Sequence, residues 1–125
     1  MVRTIAVFSF ILLATLTFGQ QRIASAIKNG DAKALSGLFT KEVDLTFDDR
    51  GDVVSSADAE KMLESFFKAN KVISYTLSHS GKAPDHSSSF TIGNIRTESR
   101  NFRIFIKCSP LAGADSIREI RINSL

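Results

Sequence analysis

The sequence contains few of the residues on which crosslinks, metal centres and covalent catalysis depend. Its 125 residues include one cysteine, so no disulfide can form within the chain, and two histidines, His79 and His86. The histidine spacing matches no common pattern of metal ligands. Cys108 has no base beside it in the sequence and is predicted to be a small buried hydrophobic residue rather than a nucleophile. A small domain without disulfides must rely on its hydrophobic core.

Motifs that would indicate a nucleotide site or an acyl-transfer site are also missing. The sequence has no phosphate-binding glycine loop and no G-x-S-x-G segment. The tripeptide Arg50-Gly51-Asp52 matches an integrin-binding motif, but turns favour Gly and Asp, and we interpret it as a turn. We therefore expect no cofactor and no metal.

What is present indicates one globular domain. Hydrophobic residues make up 43% of the chain and charged residues 23%, which excludes a disordered polar chain. Ten Phe residues, with one Tyr and no Trp, predict a core built on phenyl rings. The formal net charge of +3 does not require an acidic partner such as a nucleic acid.

The start of the chain has the pattern of a secretory signal peptide. Arg3 supplies a positive charge, and an uncharged apolar run follows it. That run is shorter than the roughly twenty residues that a membrane-spanning helix needs. Thr17 and Gly19 place small residues at positions −3 and −1 of a cleavage site. We predict a signal peptide over residues 1–19, one domain over residues 20–125, and export to the periplasm or the medium; an uncleaved membrane anchor is the alternative.

Three amphipathic helices are predicted in the exported domain. They cover residues 21–29, residues 32–39 and a segment that is capped by Ser55 or Ser56 and runs to Asn70. Gly30 suits the left-handed position that ends a helix, and Asp31 suits the N-cap of the next one.

Strands make up the rest of the predicted domain. They cover Val43–Phe47, Val53–Val54, Val72–Ser80, Ser88–Thr97, Phe102–Ser109 and Ser116–Asn123. Alternation along the hairpins predicts which side chains share a face. It predicts an inner face that is apolar at its centre, where Ile104 lies opposite Ile122 and beside Asn94.

Four polar residues are predicted on the inner face, one in a central row and three towards its edges. Tyr75 would lie in a central row, where its hydroxyl needs a partner in the core or on a ligand. His79, Asn94 and Arg118 would surround the mouth of the same cavity. These four residues form the candidate ligand pocket.

The outer face of the sheet is the candidate interface. The residues predicted to form it are Ile95, Arg103, Phe105, Lys107 and Arg121. One aromatic side chain and a small net charge argue against a single-stranded nucleic-acid platform. Lys107 is predicted to lie opposite Glu119 as an exposed pair.

The segment from Ile27 to Phe39, with its Gly30-Asp31 turn between two helices, resembles the entry of NTF2-like domains. The chain is also similar to a group of exported bacterial proteins, the DUF4783 family, in which a helix ending in paired Phe, like Phe66-Phe67, precedes a strand meander. The resemblance implies an α+β cone of the NTF2-like (cystatin-like) type. Three N-terminal helices would pack on one face of a curved, mostly antiparallel sheet of about six strands.

The resemblance does not define a function, because NTF2-like proteins include isomerases, hydrolases, carriers and assembly domains. Enzymatic members place a carboxylate inside the cone. Alternation directs Asp44, Asp48 and Glu119 away from the predicted interior, so no general base is expected there. We predict a non-catalytic binding or interaction module of the cell envelope, a monomer or a weak homodimer. The alternative is a small-molecule-binding or enzymatic cone with its pocket around Tyr75.

Overall fold

A computed structural model of the chain describes residues 18–111 and 114–125. The predicted signal peptide lies outside the described residues except for its last two positions, which begin the first helix. In the described part of the chain, no helix is both long enough and apolar enough to cross a membrane.

The helices of the described chain are α1 Phe18–Lys28, α2 Ala32–Ser36 and α3 Ser56–Ala69. Gly30 ends α1 with a φ of +62°, and the N–H of Asp31 donates to the carbonyl of Ala26 at 2.8 Å, as in a Schellman motif. Asp31 caps α2 and Ser55 caps α3, each by accepting a hydrogen bond from the N–H three residues further on. The predictions for Gly30 and for both caps are confirmed.

The second helix is shorter than predicted. It was expected to reach Phe39, but it ends at Ser36, and Phe39 is the first residue of a strand. The N–H of Ile117 donates to the carbonyl of Leu38 at 2.7 Å, which joins this segment to the sheet. A contact distant in sequence therefore overrides the local helical pattern.

The strands of the described residues form one six-stranded sheet in the order β2-β1-β6-β5-β4-β3. They are β1 Phe39–Phe47, β2 Arg50–Ser55, β3 Val72–Lys82, β4 Ser89–Thr97, β5 Asn101–Leu111 and β6 Ala114–Ser124. β1 and β6 are parallel, and the other neighbours are antiparallel. The α+β architecture of helices on a curved, mostly antiparallel sheet is confirmed.

The core lies between the helices and the inner face of the sheet. Its largest fully buried side chains are all aliphatic: Ile27, Leu35, Val43, Leu45, Leu63, Ile95, Ile104, Ile106, Ile117, Ile120 and Ile122. The ring centroid of Phe66 lies 4.9 Å from that of Phe102 and 5.6 Å from that of Phe47, so phenyl rings form a cluster on the margin. The predicted phenyl core is therefore wrong for the centre, where branched aliphatic side chains fill the space between helices and sheet.

β4 is shifted by one residue from the predicted register. Gly93, and not Asn94, lies opposite Ile104, while Ile104 lies opposite Ile122 as predicted. The β4–β5 hairpin closes with the N–H of Thr97 bonded to the carbonyl of Arg100 at 3.1 Å, which fixes the pairing. Because side chains alternate along a strand, a shift of one residue exchanges the two faces of β4.

Three register shifts in the strand pairings change the face of the sheet on which other residues lie. In β3, the register shifts at Ile73, which is 52% exposed, and again at Ser78. In β6 it shifts at Arg118, so that Ile117 lies opposite Cys108. Each extra residue acts as a β-bulge and reverses the alternation beyond it.

Candidate ligand cavity

Tyr75 lies on the inner face, as predicted. It is opposite buried Ile95, its side chain is half-buried against the core, and its ring lies over Gly93. Burial raises the pKa of the Tyr75 phenol above its ordinary value. The ring thus forms part of the packed inner layer.

The other three residues of the predicted pocket do not join Tyr75. His79 follows the bulge in β3 and is exposed on the outer face. Asn94 lies opposite Arg103 on that outer face because of the shifted register of β4. Arg118 occupies the bulge of β6, is exposed, and donates a hydrogen bond to Ser109 Oγ at 3.2 Å. The predicted four-residue pocket is therefore not formed.

Four of the five residues of the predicted interface share the outer face of the sheet, and one does not. Ile95 is 0% exposed on the inner face, again because β4 is shifted, and Ile92 takes its place opposite Phe105. We define the outer patch as Ile92, Arg103, Phe105, Lys107 and Arg121, which surround one shallow depression. The rings of Phe90 and Phe105 stack with centroids 6.2 Å apart, and the guanidinium of Arg121 lies 6.0 Å from the Phe105 centroid.

Acidic side chains lie outside the core. Lys107 is opposite Glu119, as predicted, and Glu119 also forms an ion pair with Arg121. Asp44 lies beside Glu119 across β1 and β6. Asp48, in the β1–β2 turn, is exposed and accepts hydrogen bonds from Ser124. Among the residues whose burial the structure describes, no Asp or Glu is buried.

A cavity of about 120 Å³ lies between the first turns of α1 and one end of the sheet. We call it the α1 cavity. Its apolar wall comes from Ile23, Leu38, Cys108 and Ile117, and Thr91 of β4 also lines it. Ile23, Cys108 and Ile117 are buried core residues, so the cavity is an opening into the core rather than a surface groove.

Thr91 is the unusual residue of this cavity. It is 7% exposed, and its Oγ1 has no hydrogen-bond partner within the described chain. Thr97, on the same strand and 6% exposed, provides a contrast. Its Oγ1 donates to the carbonyl of Arg100 and accepts from the N–H of Arg100 at 3.0 Å. Buried hydroxyls are normally paired in this way, and Thr91 Oγ1 is an exception among the described residues.

Polar residues also line the α1 cavity. Lys82 supplies a cation, Ser80 and Ser89 supply hydroxyls, and Gly19 and Gln20 lie at the α1 side. No Asp, Glu or His is among the described residues that line it. Across the described residues, no group of three or more His, Cys, Asp or Glu side chains is placed to hold a metal.

The sequence pattern did not single out Thr91. The predicted register puts Asn94 beside Ile104 on the inner face, and alternation then puts Thr91 on the outer face. Both alternating sets of β4 contain apolar residues, so hydrophobicity alone does not choose between them. The available signal was the hairpin turn: Thr97 is a residue type that bonds the backbone of a tight turn through its hydroxyl. A register based on that turn would have placed Thr91 inward.

The fold places the chain in a known structural class. An NTF2-like protein of unknown function from Silicibacter pomeroyi DSS-3 superposes with a TM-score of 0.65 at 15% identity, covering 94% of this chain and 98% of that chain. At such identity the likeness concerns the fold alone. The protein has the NTF2-like fold.

Two crystal structures are more similar. A DUF4783 family protein from Bacteroides ovatus ATCC 8483 has a TM-score of 0.80 and 31% identity, over 83% of this chain and 93% of that one. Another DUF4783 family protein, from Bacteroides fragilis YCH46, has a TM-score of 0.79 and 32% identity, over 83% of this chain and 96% of that one. The family described as "Domain of unknown function (DUF4783)" matches residues 20–123, and the chain belongs to this family. Among curated proteins, none matches the chain.

Proposed function

We propose that this chain is an exported, non-catalytic binding module of the cell envelope, and that it holds a small molecule in the α1 cavity. The observation that carries the proposal is Thr91, a residue of the cavity wall whose buried hydroxyl has no hydrogen-bond partner within the described chain. An unsatisfied buried hydroxyl costs about 1–3 kcal/mol. A ligand with a hydrogen-bond acceptor would recover part of that cost.

The composition of the cavity wall supports binding rather than catalysis. General acid–base catalysis needs a group that gains and loses a proton near neutral pH. The titratable side chains among the described residues of the wall are Lys82 and Cys108, and no described Asp, Glu or His lines the cavity. We therefore infer that the protein binds its ligand unchanged.

The α1 cavity does not coincide with the pocket that the sequence predicted around Tyr75. The α1 cavity is not lined by Tyr75, whose ring packs over Gly93 and against the core. His79, Asn94 and Arg118 lie on other surfaces. An enzymatic site around Tyr75 is consequently the less well supported alternative.

Export is supported by the N-terminal sequence. Arg3, the uncharged run after it, and the small residues Thr17 and Gly19 together form the pattern of a cleavable signal. N-terminal sequencing of protein recovered from the periplasm and the medium tests this. We expect the chain to begin within about two residues of Gln20, as signal cleavage requires. Recovery of a chain that retains Arg3 would contradict cleavage.

Ligand binding is tested by native mass spectrometry of the mature protein purified from its own host. We expect a fraction of the protein to carry a small non-covalent mass. Cys108→Met, which adds side-chain volume to the cavity wall, should lose that mass. Met62→Leu, at an exposed position of α3, is the control and should keep it. If wild type and Cys108→Met, both folded by circular dichroism, carry the same mass, the ligand is bound elsewhere and the proposal fails.

A further inference from the structure

We propose that the ligand of the α1 cavity is a short-chain carboxylate, whose apolar tail enters the cavity and whose carboxylate is held by Thr91 and Lys82. This inference deepens the proposed function and rests on it. Three features carry it: the size of the cavity, the sign of the charge around it, and the unpartnered hydroxyl of Thr91, a residue of its wall.

The size of the cavity sets the length of the tail. An engineered apolar cavity of about 150 Å³ accommodates benzene, which has six carbon atoms. The α1 cavity has about 120 Å³ and is lined by Ile23, Leu38 and Ile117. By that comparison it accepts an unbranched tail of about four or five carbons.

The charges around the cavity favour an anion. Lys82 is the charged side chain in the wall, and no described Asp or Glu lines it to neutralise an ammonium group. Thr91 Oγ1 can donate one hydrogen bond, and an ionised carboxylate is the strongest acceptor that a small organic molecule offers. A cationic ligand would meet Lys82 without any compensating acid.

Signal cleavage would add to this positive potential. Gly19 and Gln20 both line the cavity, on either side of the proposed cleavage site. Cutting between them removes Gly19 from the wall, creates a new α-ammonium group on Gln20 and makes Gln20 the first residue of α1. The positive end of the helix dipole then lies at the cavity wall together with that ammonium group. The binding site is thus completed by the same cleavage that exports the protein.

The test is an NMR titration of the mature, exported protein with three ligands of equal length: pentanoate, pentanamide and pentylammonium. We expect pentanoate to shift the amide signals of Thr91 and Ser80 and to bind about tenfold more tightly than pentanamide, the effect of one charge-assisted hydrogen bond. Pentylammonium should not bind. Binding of pentanoate and pentanamide with equal affinity at the cavity would overturn the carboxylate inference while leaving the proposed function intact. If no member of the series shifts these signals, the inference fails; the retained mass in native spectra then decides the proposed function separately.

Two substitutions, and one enzymatic modification of the N-terminus, test where the carboxylate is bound. Thr91→Val keeps the shape of the side chain and should lower pentanoate affinity about tenfold, with pentanamide affected less. Lys82→Gln should lower pentanoate affinity about two- to fivefold, as expected for an exposed charge. Lys61→Gln, on the exposed face of α3, is the matched control and should have no effect.

The enzymatic modification removes the positive charge of the α-ammonium group on Gln20. Glutaminyl cyclase closes Gln20 into a neutral ring, in which the α-amine bonds to the side-chain amide carbon and ammonia leaves. Pentanoate affinity should then fall about two- to fivefold, because one exposed positive charge is lost. Unchanged pentanoate affinity in Thr91→Val, in Lys82→Gln and after cyclisation would overturn the proposed placement of the carboxylate.

Discussion

The ring of Tyr75 occupies the space that a side chain at Gly93 would need. A Cβ built on Gly93 would lie 2.6 Å from both Cζ and Oη of Tyr75, which is closer than real Cβ atoms approach other atoms. Tyr75 is on β3 and Gly93 is on β4, diagonally across the ladder. The glycine is therefore required by packing and not by its backbone conformation, because its φ is not positive.

Replacing Gly93 by alanine should destabilise the protein by roughly 1–3 kcal/mol, the usual cost of overpacking a core. In a Tyr75→Ala background the ring is absent, and the same substitution should cost much less. Urea denaturation of the four proteins of this double-mutant cycle measures the coupling. Gly37→Ala is the control, since its Cβ would make only an ordinary contact of 3.5 Å with the Ala34 carbonyl. Equal costs in both backgrounds would contradict the packing explanation.

The same tyrosine makes stability depend on alkaline pH. Burial raises the pKa of the Tyr75 phenol above the ordinary value of 10.0, so the unfolded chain loses this proton at lower pH than the folded chain. The contribution of Tyr75 to the free energy of unfolding should be complete below pH 10 and should be lost as pH rises through the folded pKa. Because Tyr75 is the only Tyr and no Trp is present, phenolate absorbance reports its ionisation directly.

The stability difference between wild type and Tyr75→Phe isolates this effect from the titration of lysines. It should shrink as pH rises above 10, where only the wild type ionises on unfolding. A phenolate titration of the folded protein with its midpoint at or below 10.0 would contradict a buried phenol.

The two buried threonines of β4 should respond oppositely to the same substitution. Thr97→Val removes the hydroxyl that bonds the turn at Arg100, and it should cost roughly 1–3 kcal/mol. Thr91→Val removes a hydroxyl without a partner, so the free energy of unfolding of the ligand-free protein should stay the same or rise. Urea denaturation at neutral pH compares the two variants. A loss for Thr91→Val as large as that for Thr97→Val would mean that Thr91 has a partner in solution.

Burial was predicted best in strands where only one of the two alternating sets of residues is apolar. Val43 and Leu45 alternate with polar residues, and both are buried as expected. Gly30 and Asp31 end one helix and begin the next because only glycine accepts the positive φ easily and only a short acceptor caps the following turn.

The sequence predicted least well where bulges and turns choose the face of a strand. Alternation cannot locate an extra residue such as Arg118, and one such residue moves its neighbours to the opposite face. β4 carries apolar residues on both faces, so its register depends on the hydrogen bonds of a turn rather than on hydrophobicity. His79 follows a bulge in β3, and Thr91 lies in the shifted strand β4, so the face of each was predicted wrongly. Tyr75 lies before the bulge at Ser78, and its face was predicted correctly.

The outer patch bears on self-association. It presents Ile92 and Phe105 among Arg103, Lys107 and Arg121, and Glu119 beside it is already paired with Arg121. Burying two apolar side chains in the contact contributes about 3–5 kcal/mol at roughly 25 cal/mol per Å². Association costs several kcal/mol or more, and a two-fold axis would bring like charges of the two patches together. We therefore expect a monomer, or a dimer with a dissociation constant above about 1 μM.

Sedimentation across a range of salt concentrations tests this expectation. If a weak dimer forms through the outer patch, added salt should tighten it, because screening reduces the repulsion between the facing arginines and lysines. Phe105→Asp places a buried charge at the centre of that contact and should abolish it, since an unpaired charge cannot be desolvated cheaply. Met62→Asp, on the exposed face of α3, adds the same charge on the helical side and should leave association unchanged. A tight dimer that is indifferent both to salt and to Phe105→Asp would show that the copies meet through another surface, and that the outer patch is free for a different partner.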